Sequence, residues 1–312
     1  MPPKILVIVG PTASGKTRLA VELAHEWNGE VVSADSMQVY RRMDIGKPTA
    51  EEMDGIPHHM IDVADPGEDF SAARYVEMAS ACVDGILARG RLPIVAGGTG
   101  LYIDSLLSGR TFAAFSPDSP LRGELEAELA RRGGAAMLEE LARVDPETAA
   151  RLHPNDHKRI VRALEVFRST GRTISQHDRE TRALPPRYDA LTIGLTFRER
   201  DDLWARIDQR VDQMARDGLE AEVRGLLSSG LPRTCTAMQA IGYKEFVAAV
   251  DGQISWKEAE ELVKLRSRQY AKRQLTWFRR REGTQWITWE KEPDFGTARR
   301  RSTEFIREAG LG

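Results

Sequence analysis

One run of residues constrains this chain more than any other: Gly10-Pro11-Thr12-Ala13-Ser14-Gly15-Lys16-Thr17 fits the G-x-x-x-x-G-K-[ST] phosphate-binding loop in full. An apolar run of strand length, Ile5 to Val9, precedes it, and an amphipathic stretch, Thr17 to Trp27, follows. That strand–loop–helix context turns backbone N–H groups and a helix N-terminus onto an anion. Lys16 adds positive charge, and the Thr17 hydroxyl adds a ligand for magnesium. The loop specifies a diphosphate or a triphosphate. It does not specify ATP.

Further apolar runs at Glu30 to Ser33 and Leu92 to Ala96, separated by the amphipathic stretch Ala72 to Ala88, give the alternation of a parallel sheet with helices on its faces. From Ser116 to about Pro186 the strand pattern stops and helical spacing takes over, as in Ile160, Leu164 and Phe167. Leu184-Pro185-Pro186 closes this insertion, and the alternating run Asp189 to Phe197 returns to the sheet. Helical patterns at Asp201 to Arg216 and Ser255 to Arg281 and a short strand at Gln285 to Trp289 complete the chain. The expected fold is therefore α/β: a P-loop NTPase-like parallel sheet flanked by helices, with an all-helical insertion. Its parts are residues 1–115 as the first part of the core, 116–186 as the insertion, and 187–312 as the return to the core with a long basic helix.

Two further turns fall at the edge of the sheet where open α/β folds bind ligands. Ser33-Ala34-Asp35-Ser36-Met37-Gln38 sets a carboxylate beside the phosphate loop, where Asp35 either accepts a proton from a nucleophile or caps a following helix. Gly97-Gly98-Thr99-Gly100 lacks the spacing of a dinucleotide fingerprint and suits close backbone approach to a ligand. A nucleotide hydrolase or kinase would carry an acid at the end of a second core strand to hold magnesium. Leu92 to Ala96 ends in glycine instead, and Asp62, in the apolar run Met60 to Val63, is a weak substitute.

Cys82 and Cys235 stand far apart, which suggests neither a disulfide framework nor a cysteine zinc site. His58 and His59 are adjacent, and Pro154 separates His153 from His157, so a histidine metal site is not expected either. The opening residues carry no secretory pattern and no run long enough to span a bilayer; a cytoplasmic protein is expected.

The formal net charge is only −2, yet the charges are segregated. Between Leu262 and Arg281 stand Lys264, Arg266, Arg268, Lys272, Arg273, Arg279, Arg280 and Arg281, with no acid among them and with Tyr270, Trp277 and Phe278 interleaved. Such a run is either a solvated helix face or a nucleic-acid surface. Arg159 and Arg162 share one face of the helical segment after Asn155-Asp156, either of which can cap it.

Taken in order along the chain, these segments resemble the tRNA dimethylallyltransferases, also called tRNA isopentenyltransferases. The resemblance rests on GPTASGKT; DSMQVYRRMDIG at Asp35 to Gly46; His58 to Tyr75; GGTGLY at Gly97 to Tyr102; HPND and RIVRALEV at His153 to Val166; QAIGYKE at Gln239 to Glu245; and QYAKRQLTWF at Gln269 to Phe278. It implies that the loop holds dimethylallyl diphosphate rather than ATP, with Mg2+ on the diphosphate through Thr17. It further implies that Lys16, Thr17 and Arg210 stabilise the departing diphosphate, while Asp35 takes the proton of an adenine amine. Asp35, Ser36, Met37, Gln38, Thr99, Arg159, Ile160, Val161, Arg162, Ala163, Gln239, Ala240, Ile241, Gly242, Tyr243, Lys272, Arg273 and Gln274 are implied to meet the tRNA. The target base, at tRNA position 37, is implied to be flipped out of its stack. Eukaryotic relatives carry a zinc-finger extension whose cysteines are missing here, so the chain resembles the compact bacterial form and is expected to act as a monomer without a membrane.

Rival readings share parts of this pattern: a small-molecule kinase shares the loop, and an adenine-nucleotide prenyltransferase shares the donor. The basic run and the helical insertion tell against both, because a small acceptor needs neither. A non-catalytic RNA-binding module has no use for an intact phosphate loop.

Overall fold

The computed structural model describes residues 2–109 and 120–311. The chain divides into two compact units, residues 1–107 with 187–312, and residues 108–186. The start of the insertion as placed from sequence, residues 116–119, lies outside the described residues.

The larger unit is built on one six-stranded, wholly parallel sheet. Its strands are β1 (Lys4–Val9), β2 (Gly29–Ser33), β3 (His58–His59), β4 (Leu92–Gly97), β5 (Asp189–Phe197) and β6 (Gln285–Trp289), in the order β3-β2-β4-β1-β5-β6. Alternation along β1 feeds two cores: Ile5, Val7 and Val9 join one, and Leu6 and Ile8 the other, all fully buried. A strand covered on both faces has no polar side to show, which is why its sequence reads as a continuous apolar run. The register sets Val9 opposite Gly97 on β4 and Gly194 on β5. The loops leaving β1, β2 and β4 therefore emerge side by side at the carboxyl edge.

One expectation changes here. The apolar run Met60 to Val63 is not a strand: pairing to β2 ends at His59, and both Met60 and Asp62 take left-handed φ values, 65° and 58°. The long basic helix runs Trp256–Phe278, started by a capping box in which Ser255 accepts from the Glu258 N–H and Glu258 from the Ser255 N–H.

Among its described residues the smaller unit consists of helices joined by turns, without a strand. Its helices Pro120–Val144, kinked at Gly133, and His157–Thr170 pack on a core of Leu125, Met137, Leu141, Ile160, Val161 and Leu164. Asp156 occupies the N-cap position of the second helix without capping it. Its carboxylate turns back to accept from the His153 N–H at 2.8 Å.

Candidate active site

Sequence and backbone together explain the shape of the phosphate loop. Gly15 has φ 90°, and a Cβ on it would lie 2.6 Å from the Phe295 ring, so both conformation and space demand glycine. The loop is held from outside. Trp289 Nε1 donates to the Ser14 carbonyl at 2.9 Å, Arg206 Nε donates to the Ala13 carbonyl at 3.3 Å, and the Thr12 N–H donates to Gln274 Oε1 at 3.0 Å. None of these three partners was assigned to the loop from sequence. Arg206 could have been, since it stands four residues before Arg210 and therefore on the same helix face.

Lys16 bends back to donate to the Pro11 carbonyl at 2.6 Å. Burial lowers its pKa to about 8; the nearby Asp35 carboxylate opposes that shift and Arg210 adds to it. An ammonium with so little anionic company is a charge waiting for a ligand.

Asp35 follows β2 and lines the same cavity, of about 770 Å³, as Lys16, Thr17, Arg206 and Arg210. No helix begins after it, so the helix-cap alternative is removed. Its Oδ1 instead accepts from the Met37 N–H two residues on, at 2.8 Å. That bond fixes the carboxylate and leaves Oδ2 without a protein donor among the described residues. The neighbouring Ser36 N–H donates to Thr99 Oγ1 at 3.1 Å, and the Thr99 N–H donates to the Ala34 carbonyl at 3.0 Å, so the turns after β2 and β4 are tied together.

Part of the wall is apolar. Met43, Ile207, Val211, Met214, Ala240 and Val263 line the cavity, with Met37, Gln38, Ile241 and Tyr243. Tyr243 donates to Glu222 at 2.5 Å, and Glu222 also accepts from the Asp44 and Ile45 N–H groups. Gly242 precedes the helix Tyr243–Val250 at its N-cap, and Gln239 is exposed, donating to the Arg233 carbonyl. Arg210 donates to the Gly46 carbonyl at 3.0 Å.

The basic helix divides. Tyr270, Arg273 and the buried Gln274 line the cavity, whereas Lys272 is exposed on the surface. Much of its charge is met by acids from elsewhere: Lys264 pairs with Asp212 at 2.7 Å, Arg268 with Asp208 at 2.9 Å, and Arg281 with Asp104 at 2.8 Å. Arg266, Lys272, Arg279 and Arg280 are exposed and have no ion-pair partner among the described residues.

In the helical unit, Ile160, Val161 and Ala163 are core residues with at most 2% exposure, so their side chains face the inside of that unit. Arg159 is exposed, and Arg162 donates to Glu165 at 2.8 Å.

Asp62 pairs with Lys47 and does not line the cavity, which ends its candidacy as a metal-holding strand acid. Among the described residues no group of three or more His, Cys, Asp or Glu side chains could hold an ion unaided. Among the side chains that line the cavity, the Thr17 hydroxyl and the Asp35 carboxylate offer hard oxygens. They suit magnesium, which takes few protein ligands and completes its shell with phosphate oxygens and water.

A parallel sheet with a phosphate loop, a fixed carboxylate and a half-apolar cavity at its carboxyl edge belongs to the class of P-loop proteins that bind a phosphorylated ligand. The IPP transferase family model matches residues 38–281, and the chain belongs to that family. It is 48% identical over 285 residues to the tRNA dimethylallyltransferase of Acetivibrio thermocellus and 50% identical over 288 residues to that of Geobacter sulfurreducens, covering 91% of each chain in both pairs. Among solved structures it resembles the full-length tRNA isopentenylpyrophosphate transferase of Bacillus halodurans, with TM-score 0.72, 42% identity, and 99% and 98% of the two chains covered. It also resembles a eukaryotic dimethylallyltransferase acting on tRNA, with TM-score 0.81, 29% identity, and 98% and 80% covered. No helix among the described residues is long and apolar enough to cross a membrane.

Proposed function

We propose that this chain transfers the dimethylallyl group of dimethylallyl diphosphate to the exocyclic N6 amine of adenosine 37 in a tRNA anticodon loop. One observation carries the reading: cations of the phosphate loop and a fixed carboxylate share one cavity with a cluster of apolar side chains that includes Met43, Ile207, Val211 and Met214. A five-carbon prenyl chain needs such apolar contacts beside the diphosphate.

In the reaction the C–O bond to diphosphate breaks and its electron pair leaves with the diphosphate. The adenine nitrogen forms the new C–N bond and gives up a proton. Lys16, Arg210 and the loop N–H groups that remain free would meet the negative charge that grows on the leaving group. Asp35 Oδ2 accepts the amine proton while Oδ1 stays bonded to the Met37 N–H. The apolar wall shields the allylic carbon from water. Thr17 would hold Mg2+, which would supply further charge on the diphosphate oxygens. The exposed cations Arg159, Lys272, Arg279 and Arg280 would neutralise phosphates of the tRNA backbone.

Incubating the protein with tRNA, magnesium and either dimethylallyl diphosphate or ATP, followed by mass spectrometry of the nucleosides, tests the reading. Dimethylallyladenosine is expected with the first donor only. ATP turnover stimulated by tRNA, with no prenylated nucleoside, would overturn it.

A further inference from the structure

We infer that Gln274 is a positioning residue of the phosphate loop, although it stands on the helix whose sequence marks it as a tRNA surface. Gln274 is 5% exposed, and its carboxamide is used at both ends. Oε1 accepts from the Thr12 N–H at 3.0 Å, and Nε2 donates to the Gly98 carbonyl at 2.9 Å. One side chain thus bridges the loop after β1 and the turn after β4.

The geometry explains two features of the loops. A Cβ on Gly98 would lie 2.1 Å from Gln274 Nε2, so the glycine is the space the amide occupies. The Thr12 N–H is turned onto a side-chain acceptor, which removes it from the set of donors facing a ligand and anchors the first half of the loop. Tyr270, one turn earlier on the same helix, lines the same cavity as Asp35. The helix therefore braces both loops from its buried face while it carries exposed cations on its other side. Preorganised loop amides need such a brace, because a displacement of about 1 Å at a reacting centre costs on the order of 100-fold in rate.

The inference rests on the proposed reaction for its kinetic readouts, and pyrophosphate binding tests it without them. Gln274→Leu removes both bonds. It should weaken inorganic pyrophosphate binding, measured calorimetrically, and lower kcat/KM for dimethylallyl diphosphate about 10- to 100-fold, leaving KM for tRNA unchanged. Gln274→Glu is the isosteric control. Its protonated side chain can still accept from the Thr12 N–H and donate to the Gly98 carbonyl, whereas its carboxylate cannot donate and repels diphosphate. The activity of this variant relative to wild type should therefore rise as pH falls through a carboxyl pKa raised by burial, a signature that lost stability alone does not produce. If Gln274→Leu fails to fold, this pH profile decides the matter. A rise in KM for tRNA with pyrophosphate affinity intact, or a flat ratio for Gln274→Glu, overturns the inference. If wild type transfers no dimethylallyl group, the proposed function fails, and pyrophosphate affinity still decides the role of Gln274.

Discussion

The two edges of the sheet treat buried charge in opposite ways. At the amino edge, Glu30 is almost fully buried and saturated: Arg89 binds it through Nε and Nη2, Arg91 binds it at 3.1 Å, and His59 Nε2 lies 2.7 Å away. Hydrogen bonding from Arg89, with help from His59, lowers its pKa to about 2 against the cost of burial. At the carboxyl edge Lys16 has one carbonyl and a carboxylate at longer range, and burial lowers its pKa to about 8. Both shifts point downward, yet one marks a charge made comfortable and the other a charge left unmet. Completion of the polar shell marks structure, and its incompletion marks a place for a ligand.

Breaking the unmet edge should have the largest effect. Asp35→Ala should lower turnover about 10²- to 10⁴-fold while diphosphate affinity and folding stay near wild type, as steady-state kinetics and thermal melts would show. Near-normal turnover would reduce Asp35 to a turn residue.

Lys16→Ala should cost about 10²- to 10³-fold in kcat/KM for the donor. In wild type the same parameter should fall as pH rises through about 8, because the free enzyme then loses its ammonium. Bound diphosphate favours the charged form, so the limb in kcat should move to higher pH. Lys16→Arg should remove the limb, and a profile unchanged in that variant would show that another group titrates.

Breaking the saturated edge should cost stability and spare chemistry. A folded-state pKa below the ordinary carboxylate value means that the stability is present above that value and is lost as pH falls toward about 2. Glu30→Gln should therefore destabilise the protein by about 3 kcal/mol near neutral pH, with the deficit shrinking as acid is added. The kcat of the folded fraction should not move. Denaturant melts across pH check this directly, and a deficit constant with pH would mean that packing rather than charge is at stake.

The smallest effect belongs to the exposed cations. Replacing Lys272 and Arg280 by Gln should raise the apparent Kd for tRNA and lower the logarithmic salt slope by roughly 0.7 to 0.9 for each phosphate that is no longer neutralised. Arg273 is a poor choice for this test because it also lines the cavity. A wild-type salt slope would make Lys272 and Arg280 an ordinary solvated face.

Local patterns made a large part of this molecule legible. The phosphate loop, the parallel strands and the helical insertion all follow from spacing within short windows, because loop conformation, strand burial on two faces and helix periodicity are near-neighbour properties. The strand His58–His59 escaped notice because two residues carry no period. Family resemblance brought Arg210 to attention, and the structure places it in the cavity beside Lys16.

Pairings between distant parts of the chain were not legible in this way. The basic run reads as uncompensated because its acids, Asp104, Asp208 and Asp212, lie on other elements, and only packing brings them to Arg281, Arg268 and Lys264. Gln274 reads as one more residue of that run, although it lies 262 positions from the Thr12 N–H it binds. By itself the sequence determined that the chain makes a phosphate loop on a parallel sheet, since those residues dictate their own backbone. Only the tertiary structure decided which charges remain unmet and which side chains brace the loop, because desolvation and hydrogen bonding depend on what lies nearby in space.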